Sequence, residues 1–590
     1  MLSLLNGALL GLLTWLTMLV LIGLAGLPIA SWVTEPSDRC LNGSVVRQSL
    51  WWGLAAATGL VLFVSFFGPL GNARSFTFVF APMIILAGAG SITAIRRRKA
   101  LVKSGKRNAR RSLLLIALIT LVMAYFAVAA LGPPNNYDTG LYHLGAIQYA
   151  ADFGIVPGLS NLYFPFGYAN SQFALGGWLA STPWGLEGYR LLNGLLVLFA
   201  LVDLGLRWSE KRPRPGVWML TLGLTVAAFP LIAIADFWVT SPTSDSAVLL
   251  LTLVASAYLV DAVVDRSGAD ASVSIVVVTL AVAMRPTMLV FAGGVVTTLA
   301  IAGFRSRCFK DTWKGYVRGG IASGILALVI GGLQLARDWF LSGWLIYPLS
   351  ALPLDVPWRS PDPLPFREAT LAAARNPLAP DQYQVAHSWE WIGPWVTSRW
   401  MMWETYLLLA LLLLGVLAWR LFRPYNERIV RKVLLSLWFP SALAIVAWLL
   451  FSPPSYRFAW GPLFVFGIAP LAAMLTAKQG PTGTSLHKSQ WIVRTCSISV
   501  VSLIAITLTA RTEFNSIDSA RSWKIANLSI PYSVAPQSVV KTTSLNTDGG
   551  VAVQIPIEGD QCWATYPLCS PLPTPTLRFL GDDLESGFSW

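Results

Sequence analysis

Charged residues are scarce in this sequence: Asp, Glu, Lys and Arg make up 12% of 590 residues, while 55% are hydrophobic. This balance excludes an ordinary soluble globular protein, whose charged fraction is about twice as large. The apolar residues form runs that reach the roughly 18 to 20 residues a helix needs to cross hydrocarbon. Because a helix satisfies its own backbone hydrogen bonds without water, the composition predicts an all-α polytopic membrane protein.

Acidic residues are rarer than basic ones, 29 against 43, which gives a net charge of +14. Lys and Arg gather in short segments between the apolar runs, a distribution that argues against nucleic-acid binding and follows the positive-inside rule. We therefore expect these segments in the cytoplasm. They are Arg96–Arg111 and the segments that begin at Arg207, Arg305, Arg420 and Lys478.

With these segments inside, the chain is ordered into about fourteen transmembrane segments with both termini outside. The eighth and ninth are too short to cross upright and are separated by the sequence MRPT at 284–287, so we expect a broken pair. The first has no basic region before it, which favours an anchor over a cleaved signal. The predicted spans are 5–32, 50–70, 76–95, 112–132, 188–207, 216–235, 246–264, 272–284, 287–303, 319–338, 404–421, 433–451, 457–477 and 491–510.

Three pieces are then predicted to lie outside: 133–187, 339–403 and a tail over 511–590. The first two are rich in Trp, Tyr, Pro and Gly, which favours amphipathic helices at the headgroup level around one outward cavity. The tail alternates apolar and polar residues, which predicts a small β-containing domain or an extended wrap. It holds Cys562 and Cys569, two of five cysteines; we expect a disulfide on this oxidising side, the alternative being two free thiols.

The sequence YDTGLYH places Asp138, Tyr142 and His143 directly after the fourth predicted span. Four interpretations compete for Asp138. It could be a helix N-cap or a catalytic base at the membrane surface. It could also belong to an intramembrane proton or ion relay, but such a relay needs acids in mid-span, and Asp203 is almost the only one there. A metal ligand is the fourth interpretation, but a metal site needs more ligands nearby than His143.

The order of several motifs resembles the GT-C superfamily of membrane glycosyltransferases, which includes protein O-mannosyltransferases and aminoarabinose transferases. The resemblance covers about 112–477. We therefore divide the chain into a GT-C-like transmembrane core, 112–510, and two further parts. Residues 1–111 add three spans and a basic loop before this core, and the tail 511–590 follows it. The chain also departs from the family in having Thr139 where Glu is common, and LYFPFGYANSQ where a phosphate-binding Lys-Pro is found. The matching segments are YDTGLYH with Asp138, YRLLNGLL with Arg190, TSPTSDSAV with Asp245, AVAMRPTM with Arg285, GWLIYPLS, and SYRFAWG with Arg457.

The resemblance implies an inner-membrane enzyme that transfers a sugar, with inversion, from a polyprenyl-phosphate donor to an envelope glycan, lipid or protein on the outer face. Asp138 would be the base, with Tyr142 and His143 beside it. Asp245 would hold the acceptor or, with Asp138, a divalent cation such as Mg²⁺ or Mn²⁺; helix capping is its alternative. Catalysis would need no redox cofactor.

Four arginines are candidates for the donor phosphate: Arg457 and Arg285, with Arg337 and Arg399 in reserve. Their simpler alternative is snorkelling from the ends of spans. Three other acids are expected to be solvated: Asp152, Glu187 and Glu390.

Two rival functions stay open. A lipid-linked-glycan transporter or flippase would need polar residues at mid-membrane depth and often an internal repeat, and neither is evident. An O-antigen polymerase or ligase would use a large outer loop with His and Arg, which the segment His387–Trp400 supplies. A purely structural role would leave the ordered acids and arginines unexplained.

Overall fold

The computed structural model describes residues 2–34, 43–101, 109–210, 214–307, 310–380, 387–421, 426–478, 486–510, 520–525 and 528–590. Long helices dominate it. They are α1 Leu2–Val33, α2 Gly43–Val64, α3 Ala73–Leu101, α4 Ala109–Ala129, α5 Leu192–Ser209, α6 Gly216–Ala233, α7 Ser244–Asp265, α8 Gly268–Met284, α9 Leu289–Ser306, α10 Lys310–Ser342, α11 Trp403–Leu421, α12 Glu427–Phe451, α13 Trp460–Lys478 and α14 Leu486–Ala510.

Shorter helices lie mainly in 133–187 and 339–403, the two segments predicted to lie outside, which we call the outer segments. They are the π-helical turn Thr139–His143, Leu144–Asp152, Leu159–Asn161, Phe164–Gly167, Ser171–Leu179, Gly185–Leu191, Ala235–Trp238, Pro286–Met288, Leu364–Arg375, Trp389–Trp391, Ile392–Trp400 and Tyr456–Phe458. Six strands form the C-terminal region: β1 Ala520–Ile525, β2 Leu528–Ser533, β3 Thr542–Asn546, β4 Ala552–Pro556, β5 Arg578–Phe579 and β6 Phe588–Ser589.

Within the described residues, ten helices are long and apolar enough to cross a membrane. The chain is thus a mostly helical, multi-pass membrane protein by helix length and composition. Each of the fourteen predicted spans coincides with one of α1–α14, but α2 and three shorter apolar stretches, in α4, α8 and α14, are not among the ten. Fourteen crossings therefore stay a prediction. The predicted break at MRPT is present, because α8 ends at Met284 and α9 begins at Leu289.

Close helix packing fixes the bundle. Helices α1 and α2 cross where Gly26 and Gly53 meet, and a Cβ at Gly26 would lie 1.9 Å from the carbonyl oxygen of Ser49. A Cβ at Gly53 would lie equally close, 1.9 Å, to the carbonyl oxygen of Ile22. Only glycine permits such a backbone approach. Helix α7 lies at the centre of the bundle, since 89% of its apolar 18-residue stretch is buried.

A network of buried charges joins the helix ends opposite Asp138, which we call the inner end. Arg47 of α2 lies within 3.5 Å of Asp261 on α7 and of Asp270 on α8. Arg207 of α5 pairs with Asp203 at 2.6 Å and also with Asp261. The side chains of all five are 0% exposed. The network therefore fixes the relative positions of four helices, and Asp203 belongs to it.

The tail packs on the outer segments and on the start of α1. The strands pair as three antiparallel two-stranded sheets, β1 with β2, β3 with β4 and β5 with β6. The Asn6 side chain donates to the carbonyl oxygen of Pro531 in β2 at 2.8 Å. A separate apolar core combines Val553 and Phe588 of the tail with Leu144 and Ile147 of the first outer segment. The tail and that segment are therefore packed together.

Candidate functional site

Asp138 stands at the start of the π-helical turn Thr139–His143 but does not cap it. Its side chain makes no capping hydrogen bond, and its own backbone N–H donates to Oδ1 of Asn136 at 3.0 Å. The carboxylate points instead at the guanidinium of Arg457, with 2.9 Å between Oδ2 and Nη1. Capping by the side chain therefore does not explain this acid.

Asp245 occupies the first turn of α7, and the cap of that helix is Thr243, whose hydroxyl accepts from the backbone N–H of Asp245. The Asp245 carboxylate pairs with Nη2 of Arg285 at 2.5 Å, and its other oxygen lies 4.0 Å from Nη1 of Arg457. Arg285 follows the last residue of α8 and also donates to Oγ of Ser244 at 3.0 Å. Arg457 thus lies between two carboxylates.

These four residues form what we call the outer cluster: Asp138, Asp245, Arg285 and Arg457. Both guanidinium groups also lie against the ring of Phe458, at 5.0 Å for Arg285 and 4.9 Å for Arg457. An aromatic face attracts a cation, so this ring helps to hold the two arginines near each other. Four separate parts of the sequence meet here at the outer ends of α4, α7, α8 and α13.

Exposure differs sharply across the cluster. The Asp245 side chain is 2% exposed and Arg285 14%, whereas Asp138 is 18% and Arg457 28% exposed. Burial alone would lower the pKa of Arg457, but Asp245 and Asp138 raise it above its ordinary value, so the group stays cationic. Within the described residues, Nη1 of Arg285 is buried without a hydrogen-bond partner. The cluster therefore has one accessible acid–base pair and one donor left to satisfy.

Aromatic side chains surround the turn after Asp138. The Tyr142 ring lies 5.9 Å from Tyr168 and 6.0 Å from Phe173. His143 is 3% exposed, and burial lowers its pKa to about 4, so the imidazole is neutral at pH 7. Its Nδ1 has no hydrogen-bond partner in the part of the chain that the structure describes. Tyr142 and His143 thus lie beside the cluster, as their sequence positions require.

The tail contacts the same turn. The Tyr137 hydroxyl donates to the carboxylate of Asp560, and the Gln561 side chain donates to the carbonyl oxygen of Tyr137 at 2.7 Å. The backbone N–H of Trp563 donates to the carbonyl oxygen of Gly140 at 2.9 Å. Burial and the contact with Asp560 raise the pKa of Tyr137 to about 12. Cys562 is bonded to Cys569, which closes the segment that contains Trp563 and directly follows Asp560 and Gln561.

The two reserve arginines have other partners. Arg337 is buried and donates to Oγ of Ser65 at 2.7 Å. Arg399 donates to Sδ of Met402 at 3.2 Å and to the carbonyl oxygen of Ala374 at 3.3 Å. Both are buried, so neither is a snorkelling arginine. Among the described residues, neither forms an ion pair with the acids of the outer cluster.

The expectation that Glu187 is solvated is wrong. Its carboxylate is 1% exposed because it pairs with Arg190 at 2.6 Å and with Arg521 of the tail at 2.9 Å. Arg190 in turn donates to the carbonyl oxygens of Gly132 and Ala535. This second contact fixes the tail to the outer end of the bundle. Asp152 and Glu390 are exposed, as expected.

The donor set does not suit a divalent cation. Mg²⁺ and Mn²⁺ prefer several oxygen ligands, whereas both carboxylates of the outer cluster already face guanidinium groups. Among the described residues there is no group of three or more His, Cys, Asp or Glu that could hold a metal. Two arginines beside two partly satisfied acids suit a phosphate group better, since guanidinium matches phosphate geometry.

A family model described as a domain of unknown function, DUF8201, matches residues 9–464. That range includes all four residues of the outer cluster and ends before the tail. No curated protein and no solved structure matches the chain.

Proposed function

We propose that this chain, which belongs to the DUF8201 family, is a membrane glycosyltransferase of GT-C type that uses a polyprenyl-phosphate-linked sugar and an envelope acceptor. The observation that carries the proposal is the outer cluster, where an accessible carboxylate lies 2.9 Å from an accessible guanidinium. Transfer of a sugar from a phosphate needs these two groups: one to remove a proton and one to stabilise the leaving phosphate.

In this proposal Arg457 and Arg285 bind the donor phosphate. Arg457 is the more exposed of the two, and Arg285 has a buried Nη1 that is without a hydrogen-bond partner among the described residues. As the bond between the anomeric carbon and the phosphate oxygen breaks, charge grows on the phosphate. Guanidinium groups fixed in a partly buried site stabilise that charge more than water does, because they need no reorientation.

Asp138 is the general base. In the structure its Oδ2 is held by Arg457. A phosphate bound to the same guanidinium would compete for those N–H donors and release the carboxylate oxygen. The free oxygen then accepts the proton of the acceptor hydroxyl or amine while the acceptor attacks the anomeric carbon. Donor binding would in this way prepare the base before transfer.

Asp245 has a positioning role. It is almost fully buried at the start of α7 and pairs with Arg285. Its negative charge near a helix N-terminus is favourable. It therefore holds Arg285 in place and partly balances the positive charge of the cluster before the donor binds.

The experiment is transfer of a radiolabelled sugar from a polyprenyl-phosphate donor to a membrane fraction prepared from cells that lack this protein, catalysed by the purified chain in nanodiscs. Asp138→Asn keeps the size of the side chain and removes proton acceptance, so transfer should fall by roughly 10² or more. Asp152→Asn, at an exposed acid of the same outer segment, is the control. Full activity of Asp138→Asn would refute the proposal.

A further inference from the structure

The tail lies outside the range matched by the family model, which ends at 464, yet three residues of one tail loop contact the turn that carries Asp138. Asp560 accepts from the hydroxyl of Tyr137, Gln561 donates to the backbone of Tyr137, and Trp563 donates to the backbone of Gly140. These contacts flank Asp138 on both sides in sequence. The loop is therefore in position to affect the outer cluster.

Close packing accompanies these hydrogen bonds. A Cβ at Gly140 would lie 2.4 Å from the indole of Trp563, so the ring lies directly on the glycine backbone. Trp563 itself has a φ of 48°, a left-handed conformation that is costly for a tryptophan. The disulfide between Cys562 and Cys569 encloses Trp563, and both sulfur-bearing residues are buried. The disulfide and the contact with Gly140 thus hold Trp563 in this left-handed conformation.

The outer cluster has two different sides. The Asp138 carboxylate faces Arg457, whereas the side chain of the preceding residue, Tyr137, faces Asp560. Asp560 is exposed, and Tyr137 is 49% exposed. If the guanidinium side receives the donor phosphate, the acceptor must reach Asp138 from another direction, because an inverting attack comes from the side opposite the leaving group. Tyr137, next to Asp138 in the chain, and its partner Asp560 are exposed side chains at which the tail borders this part of the site.

We propose that the loop 560–569, whose residues 562–569 are closed by the disulfide, forms the acceptor side of the site, where Asp560 binds hydroxyl or amine groups of a sugar-like acceptor. This inference depends on the proposed function. A carboxylate accepts hydrogen bonds from such groups, and the neighbouring Tyr137 offers an aromatic face, a combination suited to a polyhydroxylated molecule. The tail would then give this chain its acceptor preference, while the family region supplies the base and the phosphate ligands.

The test compares Asp560→Ala with Glu558→Gln, an exposed acid two residues earlier, in the nanodisc transfer assay. The membrane fraction from cells lacking this protein is titrated as the acceptor. Asp560→Ala should need about 10-fold more acceptor for half-maximal transfer, the scale of a lost hydrogen bond to a charged group. Its maximal rate and donor dependence should stay near those of the native chain, and Glu558→Gln should match the native chain throughout.

The two proposals fail in different ways. An unchanged acceptor titration for Asp560→Ala, or a lower maximal rate with unchanged acceptor dependence, would overturn the acceptor role while Asp138→Asn is still inactive. Full activity of Asp138→Asn would instead overturn the proposed function. Hydrogen exchange needs no substrate: the double variant Cys562→Ser/Cys569→Ser should expose the amides of 137–143, and unchanged protection there would also overturn the role of the loop.

Discussion

Arg457→Lys tests the phosphate site most directly, because it keeps the positive charge and removes the planar fork of N–H donors. The guanidinium of Arg457 lies 2.9 Å from Asp138 and 4.0 Å from Asp245, so its donors are shared between two acids. An ammonium is a point charge and cannot present two parallel N–H groups to a phosphate. Losing one charge-assisted hydrogen bond costs about 1.5 to 3 kcal/mol.

That cost corresponds to a rise of about 10- to 100-fold in the donor concentration needed for half-maximal transfer. The stability of the protein should change little, since a partly exposed ion pair contributes about 1 kcal/mol or less. The assay is initial transfer rate against the concentration of the polyprenyl-phosphate sugar in nanodiscs. Thermal unfolding of the same samples checks that the variant is folded.

Arg399→Lys is the matched control, because Arg399 also lies near the outer end but contacts Met402 and the carbonyl oxygen of Ala374. It should leave the donor dependence unchanged. If Arg457→Lys shows native donor dependence, the arginine does not bind phosphate. If Arg399→Lys and Arg457→Lys shift the donor dependence equally, the effect is not specific to the outer cluster, and the reasoning fails.

The positions of the helices could be read from the sequence, whereas the inner charge network could not. Hydrophobicity is a local property, so each apolar run coincides with a helix. The network depends instead on residues far apart in the chain: Arg47 and Asp261 are 214 positions apart. In the sequence Arg47 is an isolated cation near a helix start, and nothing local shows that it is 0% exposed beside acids of α7 and α8.

Sequence position also places a side chain near one end of a span without giving its direction. This was enough to bring Asp138, Asp245, Arg285 and Arg457 together as candidates, through the resemblance. It could not exclude the two arginines held in reserve, Arg337 and Arg399, whose guanidinium groups bind other partners. Asp560 was missed altogether. The cysteine pair marks its loop as ordered, but only the fold shows which segment the loop contacts.

Four further predictions concern the topology expected from the sequence, the disulfide, His143 and the inner charge network. An impermeant thiol reagent should label single-cysteine variants from outside at Trp358→Cys but not at Ser104→Cys, which lies outside the described residues; labelling at 104 would overturn the topology. Mass spectrometry of the unreduced protein should find Cys562 and Cys569 linked, and two free thiols would contradict this. Burial lowers the pKa of His143 from 6.5 to about 4, so the folded protein binds this proton less readily than the unfolded chain. Its stabilising contribution is complete above about pH 6.5 and is lost as the pH falls to about 4. His143→Phe should therefore reduce the pH dependence of the unfolding midpoint over that range. An unchanged pH dependence would refute the assignment. Arg47→Met should be the most destabilising of these changes, because it leaves Asp261 and Asp270 buried with one cation fewer, and removing one partner of a buried pair costs about 3 to 5 kcal/mol. Arg207 and Arg214 still face those two acids, so the lower part of that range is expected. Arg428→Met, at an exposed arginine of α12, should change stability by about 0.5 kcal/mol or less; equal unfolding midpoints for the two variants in detergent would show that the inner network does not hold the bundle together.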